Sequence, residues 1–153
     1  MHKYFFFFLL FLPISTLVYS QDMDQLSKDS KYKAIFIEVN KIMDNGDLDQ
    51  LDAYMKADVI DHQMDPSAAE TGLEGIKEML KIFQHVFPDM KTTIHTMAVS
   101  GDTLFAFATF SGTTSEPFAD MPANHELTYD YVDVVRFEDG MMAEHWGFSD
   151  MPK

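Results

Sequence analysis

The chain has 153 residues, no cysteine, and 25 acidic against 11 basic side chains, giving a formal net charge of −14. That field repels phosphate backbones and anionic lipid, which makes nucleic acid and membrane surfaces poor partners, and a lone arginine, Arg136, leaves guanidinium-fork recognition of phosphate nearly out of reach. Without disulfides, stability must come from an apolar core, for which twelve methionines and fourteen phenylalanines supply ample material even after those of the first 20 residues are discounted.

The chain opens Met1-His2-Lys3, runs apolar from Tyr4 to Leu12, breaks at Pro13 and continues in small residues to Ser20. A basic start, an apolar stretch shorter than the ~20 residues of a spanning helix, and Val18 and Ser20 at the minus three and minus one positions predict a cleaved signal peptide, residues 1–20. The expected location is secreted or periplasmic, with no stable membrane insertion after cleavage. The polar segment 21–29 reads as a flexible leader, and residues 30–150 as one domain.

From Ser30, apolar residues at Tyr32, Ile35, Phe36, Val39, Ile42 and Met43 line one helical face. Asn45-Gly46 ends that helix, and Asp47 can cap a short second one carrying Leu48, Leu51 and Met55. A short strand is expected over 57–63, then an amphipathic helix over 72–87 stopped by Pro88. Beyond Pro88 the apolar period changes from about 3.6 to 2. Four strands follow, over 92–99, 103–115, 126–138 and 141–148, with a strong hairpin signal at Asp139-Gly140. Helices followed by antiparallel strands predict an α+β fold: a cone-shaped roll of three N-terminal helices on a curved, mainly antiparallel sheet. Curled around the helices, such a sheet leaves a funnel in which small ligands settle.

Strict alternation places Tyr129, Tyr131, Asp133, Val135 and Phe137 on one strand face, so Asp133 sits among rings, unless a bulge reverses the faces. An apolar surround disfavours the charged carboxylate and suits Asp133 to donating or shuttling a proton. His62, at the end of the short strand, could act as general base, with Asp61 as a conceivable orienting neighbour. Of His145 and Trp146 only one can face the funnel, and Trp146, in step with Met142 and Phe148, is the better inward candidate. His95, alternating with Thr93, Met97 and Val99, is either a polar group in the cavity or a satisfied core histidine. Phe83 and Phe87 complete the expected lining. Six histidines without metal-ligand spacing and without cysteine predict no dedicated metal site, and no glycine-rich phosphate loop or nucleophile elbow is present. The acidic stretch 44–52 does not match a calcium loop.

Several short motifs then acquire meaning from their order: Asp44-Asn45-Gly46-Asp47-Leu48-Asp49, Asp58-Val59-Ile60-Asp61-His62, Gly72-Leu73-Glu74-Gly75-Ile76-Lys77, Phe87-Pro88-Asp89, and Val132-Asp133-Val134-Val135-Arg136-Phe137-Glu138-Asp139-Gly140 followed by Glu144-His145-Trp146. In this arrangement the chain resembles the SnoaL-like polyketide cyclase branch of the nuclear-transport-factor-like superfamily, which includes ketosteroid isomerases and scytalone dehydratases. The resemblance implies a cone with a central cavity, often dimeric, running acid/base chemistry such as intramolecular aldol closure without metal or coenzyme. By likeness to the isomerases, Asp133 would hydrogen-bond a developing oxyanion and His62 would stand at the general-base position. The isomerase's second oxyanion donor, a tyrosine, corresponds to Val39, which has no hydroxyl, and this argues against steroid isomerisation.

Three functions therefore stay open: a cofactor-free cyclase, isomerase or lyase, a binder of an apolar small molecule, and a homodimeric interaction module.

Overall fold

The computed structural model describes residues 14–64 and 70–149. The apolar run of the expected signal peptide lies outside the described residues, as does the end of the expected domain at Asp150. Among the described residues no helix is long and apolar enough to cross a membrane.

Helix α1 spans Ile14–Asn45 and buries Tyr32, Ile35, Phe36, Val39 and Ile42, the spacing that one helical face requires. The segment 21–29, expected as a flexible leader, is helical. Once Tyr32 is stacked on Phe137, with ring centroids 4.0 Å apart, the packed turns serve as a nucleus, and extending a helix from a nucleus adds one hydrogen bond for each residue fixed. Gln25 reinforces this extension with a 2.6 Å bond to Asp29, and Lys28 pairs with Asp102 in the turn between the second and third strands.

The short second helix is a 3₁₀ helix, Leu48–Ala53, with no side-chain cap from Asp47. Strand β1 follows at Met55–Asp61, two residues earlier than the apolar run suggests, so Met55 belongs to the sheet. Helix α2, Gly72–Val86, turns Leu73, Ile76, Leu80 and Val86 inward. Its buried Lys77 is satisfied by Asp52 at 2.6 Å and Glu74 at 3.1 Å, the pairing that a buried ammonium needs.

Strands β2 (Lys91–Ser100), β3 (Thr103–Thr113), β4 (Glu126–Glu138) and β5 (Met141–Ser149) form an antiparallel meander. Strand β1 joins its far edge, parallel to β5, giving the order β1-β5-β4-β3-β2 in one curved, unclosed sheet. Asp139 and Gly140 both adopt positive φ, 53° and 80°, as the tight β4–β5 turn demands.

The helices cover the concave face, where Phe36, Val39, Leu51, Leu104, Val135 and Phe137 are buried almost completely. A second cluster gathers Val86, Phe87, Met90 and Phe110 beneath the loop between β3 and β4. That loop is tied down by Thr114, whose hydroxyl donates to the Pro122 carbonyl at 2.6 Å and accepts from the His125 N–H at 2.9 Å.

A sheet that curves this strongly departs from strict alternation in three places. Ile94 pairs with Ala108 and Thr96 with Phe107, so His95 is an extra residue on β2. Phe137 pairs with Met142 and Arg136 with Glu144, so Ala143 is an extra residue on β5. On β1, Met55 is opposite Met142 while Ile60 is already opposite Glu144. Each irregularity bends its strand and reverses or shifts which side chains face the helices.

Candidate active site

A cavity of about 470 Å³ opens between the helices and the concave sheet. Phe36, Val39 and Met43 of α1 and Met79 and Phe83 of α2 form its helical wall. The sheet wall carries Tyr129, Tyr131 and Asp133 from β4. These three share a face because β4 alternates without interruption from Glu126 to Arg136.

The bulge at Ala143 brings a histidine to the same wall. Met142 faces inward opposite Phe137, and the additional residue then turns His145 inward opposite Val135. Trp146, expected to line the cavity in step with Met142, is turned to the outer face. On β1, Asp61 lies beside His145 and points into the cavity. His62, expected as the base there, is the next residue and points away. Its backbone N–H donates to the His145 carbonyl at 2.9 Å, its ring stacks on Trp146 with centroids 4.6 Å apart and planes 7° apart, and its Nε2 lies 2.9 Å from Glu144. His62 and Asp133 are therefore not brought together; Asp61, His145 and Asp133 are.

His145 stands between two carboxylates, its Nδ1 3.2 Å from Asp61 Oδ1 and its Nε2 3.0 Å from Asp133 Oδ1. The side chains of Asp61, Asp133 and His145 are 6%, 14% and 22% exposed. Carboxylate oxygens on both sides call for a proton on both nitrogens, so the ring is an imidazolium. Burial opposes that charge, but the hydrogen bonds and charges of Asp133 and Asp61 outweigh it and push the His145 pKa up to about 10. For Asp61, burial likewise opposes ionisation, and the bond and charge of His145, with the Gln63 N–H at 2.8 Å and the charge of His62, hold it below the usual carboxylate range. Among the described residues no donor other than His145 reaches the Asp133 carboxylate. The cluster thus presents one clamped carboxylate to an apolar cavity, with an imidazolium behind it that gives up its proton only reluctantly.

Tyr129 and Tyr131 sit on the same wall. Burial, followed by the negative charge of Asp133, raises the pKa of both phenols, so they remain neutral donors.

The other expected lining residues divide. Phe83 is on the wall, whereas Phe87, 1% exposed, lies behind it, edge-on to Phe110 at 5.5 Å. His95 is outside: as the extra residue of the β2 bulge it turns to the outer face, 2.7 Å from the Thr109 hydroxyl, which donates to Asp130 at 2.6 Å. Val39 lines the cavity without a hydroxyl. Asp61, His145 and Gln63 are cavity residues that alternation did not select, because their orientation depends on the bulge at Ala143 and on parallel pairing at the sheet edge. Among the described residues no cluster of three acidic or histidine side chains is arranged to hold a metal ion.

Comparison with known proteins bears on the family and the fold. No curated protein matches the chain. Among solved structures, TsrD from Streptomyces laurentii superposes with a TM-score of 0.71 at 24% identity, over 79% of this chain and 89% of that one. IdmH from Streptomyces antibioticus gives 0.68 at 24% identity, over 77% and 91%. A SnoaL-like polyketide cyclase from Agrobacterium tumefaciens gives 0.65 at 20% identity, over 76% and 88%. At these identities the likeness establishes the fold alone. The family profile for SnoaL-like polyketide cyclases matches residues 35–152, which includes both helical walls, the whole sheet and all three members of the Asp61–His145–Asp133 cluster. The chain therefore belongs to the SnoaL-like polyketide cyclase family.

Proposed function

We propose that the protein is a cofactor-free enzyme acting on an apolar, carbonyl-containing small molecule, with Asp133 as the general base. The observation that carries this reading is the clamped carboxylate: Asp133 faces an apolar cavity with its charge fixed by His145, which Asp61 fixes in turn. In the proposed step, an Asp133 oxygen takes a proton from the carbon next to the carbonyl. The C–H electron pair forms the carbon–carbon double bond of an enolate, and the developing charge on oxygen is met by the phenols of Tyr129 or Tyr131. The enolate carbon then attacks a second carbonyl of the same molecule, closing a ring. The proton held by Asp133 returns to the new alkoxide, so the enzyme ends as it began. Isomerisation would use the same first step and return the proton to another carbon.

His145 has no lone pair to offer while both its nitrogens are protonated, so the base role falls to the carboxylate and not to an imidazole. His62 is on the other side of the sheet.

The first step can be tested without the natural substrate. A fused-ring ketone such as 2-tetralone, incubated in D₂O, should exchange its acidic carbon-bound protons faster with the protein than without it, as followed by NMR. Asp133→Asn should reduce that acceleration by about 100-fold or more, in the range of a lost general base. Equal exchange in the variant would remove Asp133 from the role. Ketone retained without any accelerated exchange would support the alternative, a carrier of an apolar molecule. The adaptable methionines on the wall, Met43, Met55, Met79, Met90 and Met142, suit that alternative as well.

We also infer export through a cleaved signal peptide, supported by the apolar run 4–12. A homodimer is supported by Phe105, Phe107 and Val132, exposed on the neighbouring strands β3 and β4 of the outer sheet face. A sedimentation mass of one chain would remove the dimer.

A further inference from the structure

Gly147 is an odd residue to find in the middle of β5, because glycine weakens a strand and offers nothing to pack. It faces the cavity directly opposite Asp133. A side chain there would collide with one particular group: the amide of Gln63, whose Nε2, Cδ and Oε1 are the nearest atoms to the place a Cβ would occupy. The Gln63 amide therefore lies over the bare Gly147 backbone, in the space that the cross-strand neighbour of Asp133 would normally fill. Side chains in such a pair have Cβ atoms about 5 Å apart. The backbone of Gln63 is fixed to the same cluster, since its N–H donates to Asp61 Oδ1 at 2.8 Å. Gln63 is exposed as a residue and yet contributes to the cavity lining, which puts it at the rim.

We propose that the Gln63 amide is a specificity-determining group that hydrogen-bonds the carbonyl oxygen of a ketone ligand at the cavity rim, laid over Gly147 and across from Asp133. The inference rests on the reading of the cavity as a site for carbonyl compounds and names the part of the ligand that this chain recognises. The chemistry favours an amide. Asp61, His145 and Asp133 together carry one net negative charge, and a neutral N–H can approach a developing oxyanion beside them without neutralising the base. Both nitrogens of His145 are already committed to carboxylates, so that ring cannot serve the carbonyl. A site built to pair with a polar group of its substrate rejects analogues that lack it, more strongly than an apolar wall rejects anything.

The test compares 2-tetralone with tetralin, the same bicyclic skeleton without the carbonyl, by NMR titration of the full protein. Gln63→Leu should weaken ketone binding about 5-fold, the scale of one neutral hydrogen bond, and leave tetralin unchanged. Gly147→Ala, which evicts the amide, should do the same, and the double variant should lose nothing further, because both changes remove one interaction. Ketone and tetralin weakened equally by Gln63→Leu, or losses that add in the double variant, would overturn the assignment. The comparison of wild type with Gln63→Leu decides this even if Gly147→Ala fails to fold. Neither ligand binding the wild type would overturn this inference together with the cavity reading beneath it. Selective loss of ketone affinity in Gln63→Leu, with proton exchange intact in Asp133→Asn, would support Gln63 and remove only the base.

Discussion

Replacing Asp61 by asparagine keeps the shape of the side chain and its capacity to accept from the Gln63 N–H, but removes one of the two charges that hold His145. The consequence follows from the geometry. His145 is raised from its ordinary value of 6.5 to about 10 by two carboxylates at nearly equal distances, 3.2 and 3.0 Å, acting against burial. If the two contribute comparably, losing one removes at least half of the net rise, because the opposing burial remains. His145 in Asp61→Asn should then titrate at about 8 or lower, and the imidazolium should be held about 2–3 kcal/mol less tightly. The effect on stability has a defined sign. A group raised on folding contributes fully below its unfolded value near 6.5, and that contribution is lost as pH climbs to about 10. In the variant the loss should be complete by about pH 8. Ring ¹⁵N shifts of His145, assigned by their absence in His145→Gln, measure the titration directly, and urea unfolding at neutral and alkaline pH measures the linkage. A wild-type His145 that titrates near its ordinary value, or an unchanged titration in Asp61→Asn, would refute the carboxylate clamp.

His62→Ala removes a half-exposed ring from the outer face and should cost under about 1 kcal/mol while leaving ketone exchange intact; lost exchange would mean that His62 reaches the cavity after all. Phe87→Ala should destabilise by about 3–5 kcal/mol in urea unfolding, since Phe87 is 1% exposed and touches Phe83, Phe110 and Phe118, and a loss below about 1 kcal/mol would contradict its placement behind the wall. Expressed in its host, the chain should be recovered outside the cytoplasm with Gln21 as its first residue, as read by N-terminal sequencing; a cytoplasmic product starting at Met1 would contradict the signal peptide.

The helices and strands were legible because their signals are local. The three/four spacing from Tyr32 to Ile42, the stop at Pro88 and the Asp139-Gly140 turn each act over a few residues, and the structure follows them within about two positions, except that α1 begins at Ile14 and not near Ser30. The membership of the cavity was legible only where alternation ran unbroken, as along β4, which yields Tyr129, Tyr131 and Asp133. On β5 the same rule breaks at Ala143, where it puts Trp146 in the place that His145 takes. On β2 it failed at His95, which the bulge itself turns outward. In the sequence Asp61 reads only as a support for His62, because nothing in its neighbourhood announces that β1 runs parallel to β5 and sets Asp61 beside a histidine 84 positions away.

These failures have one physical origin, and it is also the origin of the site. A five-stranded sheet has to bend to hold a cavity against two helices, and a twisted sheet bends most readily by inserting unpaired residues. The insertion that curves β5 is the same one that turns an imidazole from solvent towards two carboxylates. Curvature and cluster are thus a single structural event, and the chemistry of the wall depends on pairing register as much as on residue identity. Deleting Ala143 would restore strict alternation, returning His145 to the outer face and offering Trp146 to the cavity in its place. Asp133 would then lose its cation, and Asp61, 6% exposed, would be left as a buried charge met only by the Gln63 N–H, and removing the cation from a buried pair costs several kcal/mol in proteins generally. The fold thus tolerates the bulge because the bulge supplies the counter-ion that its buried carboxylates require.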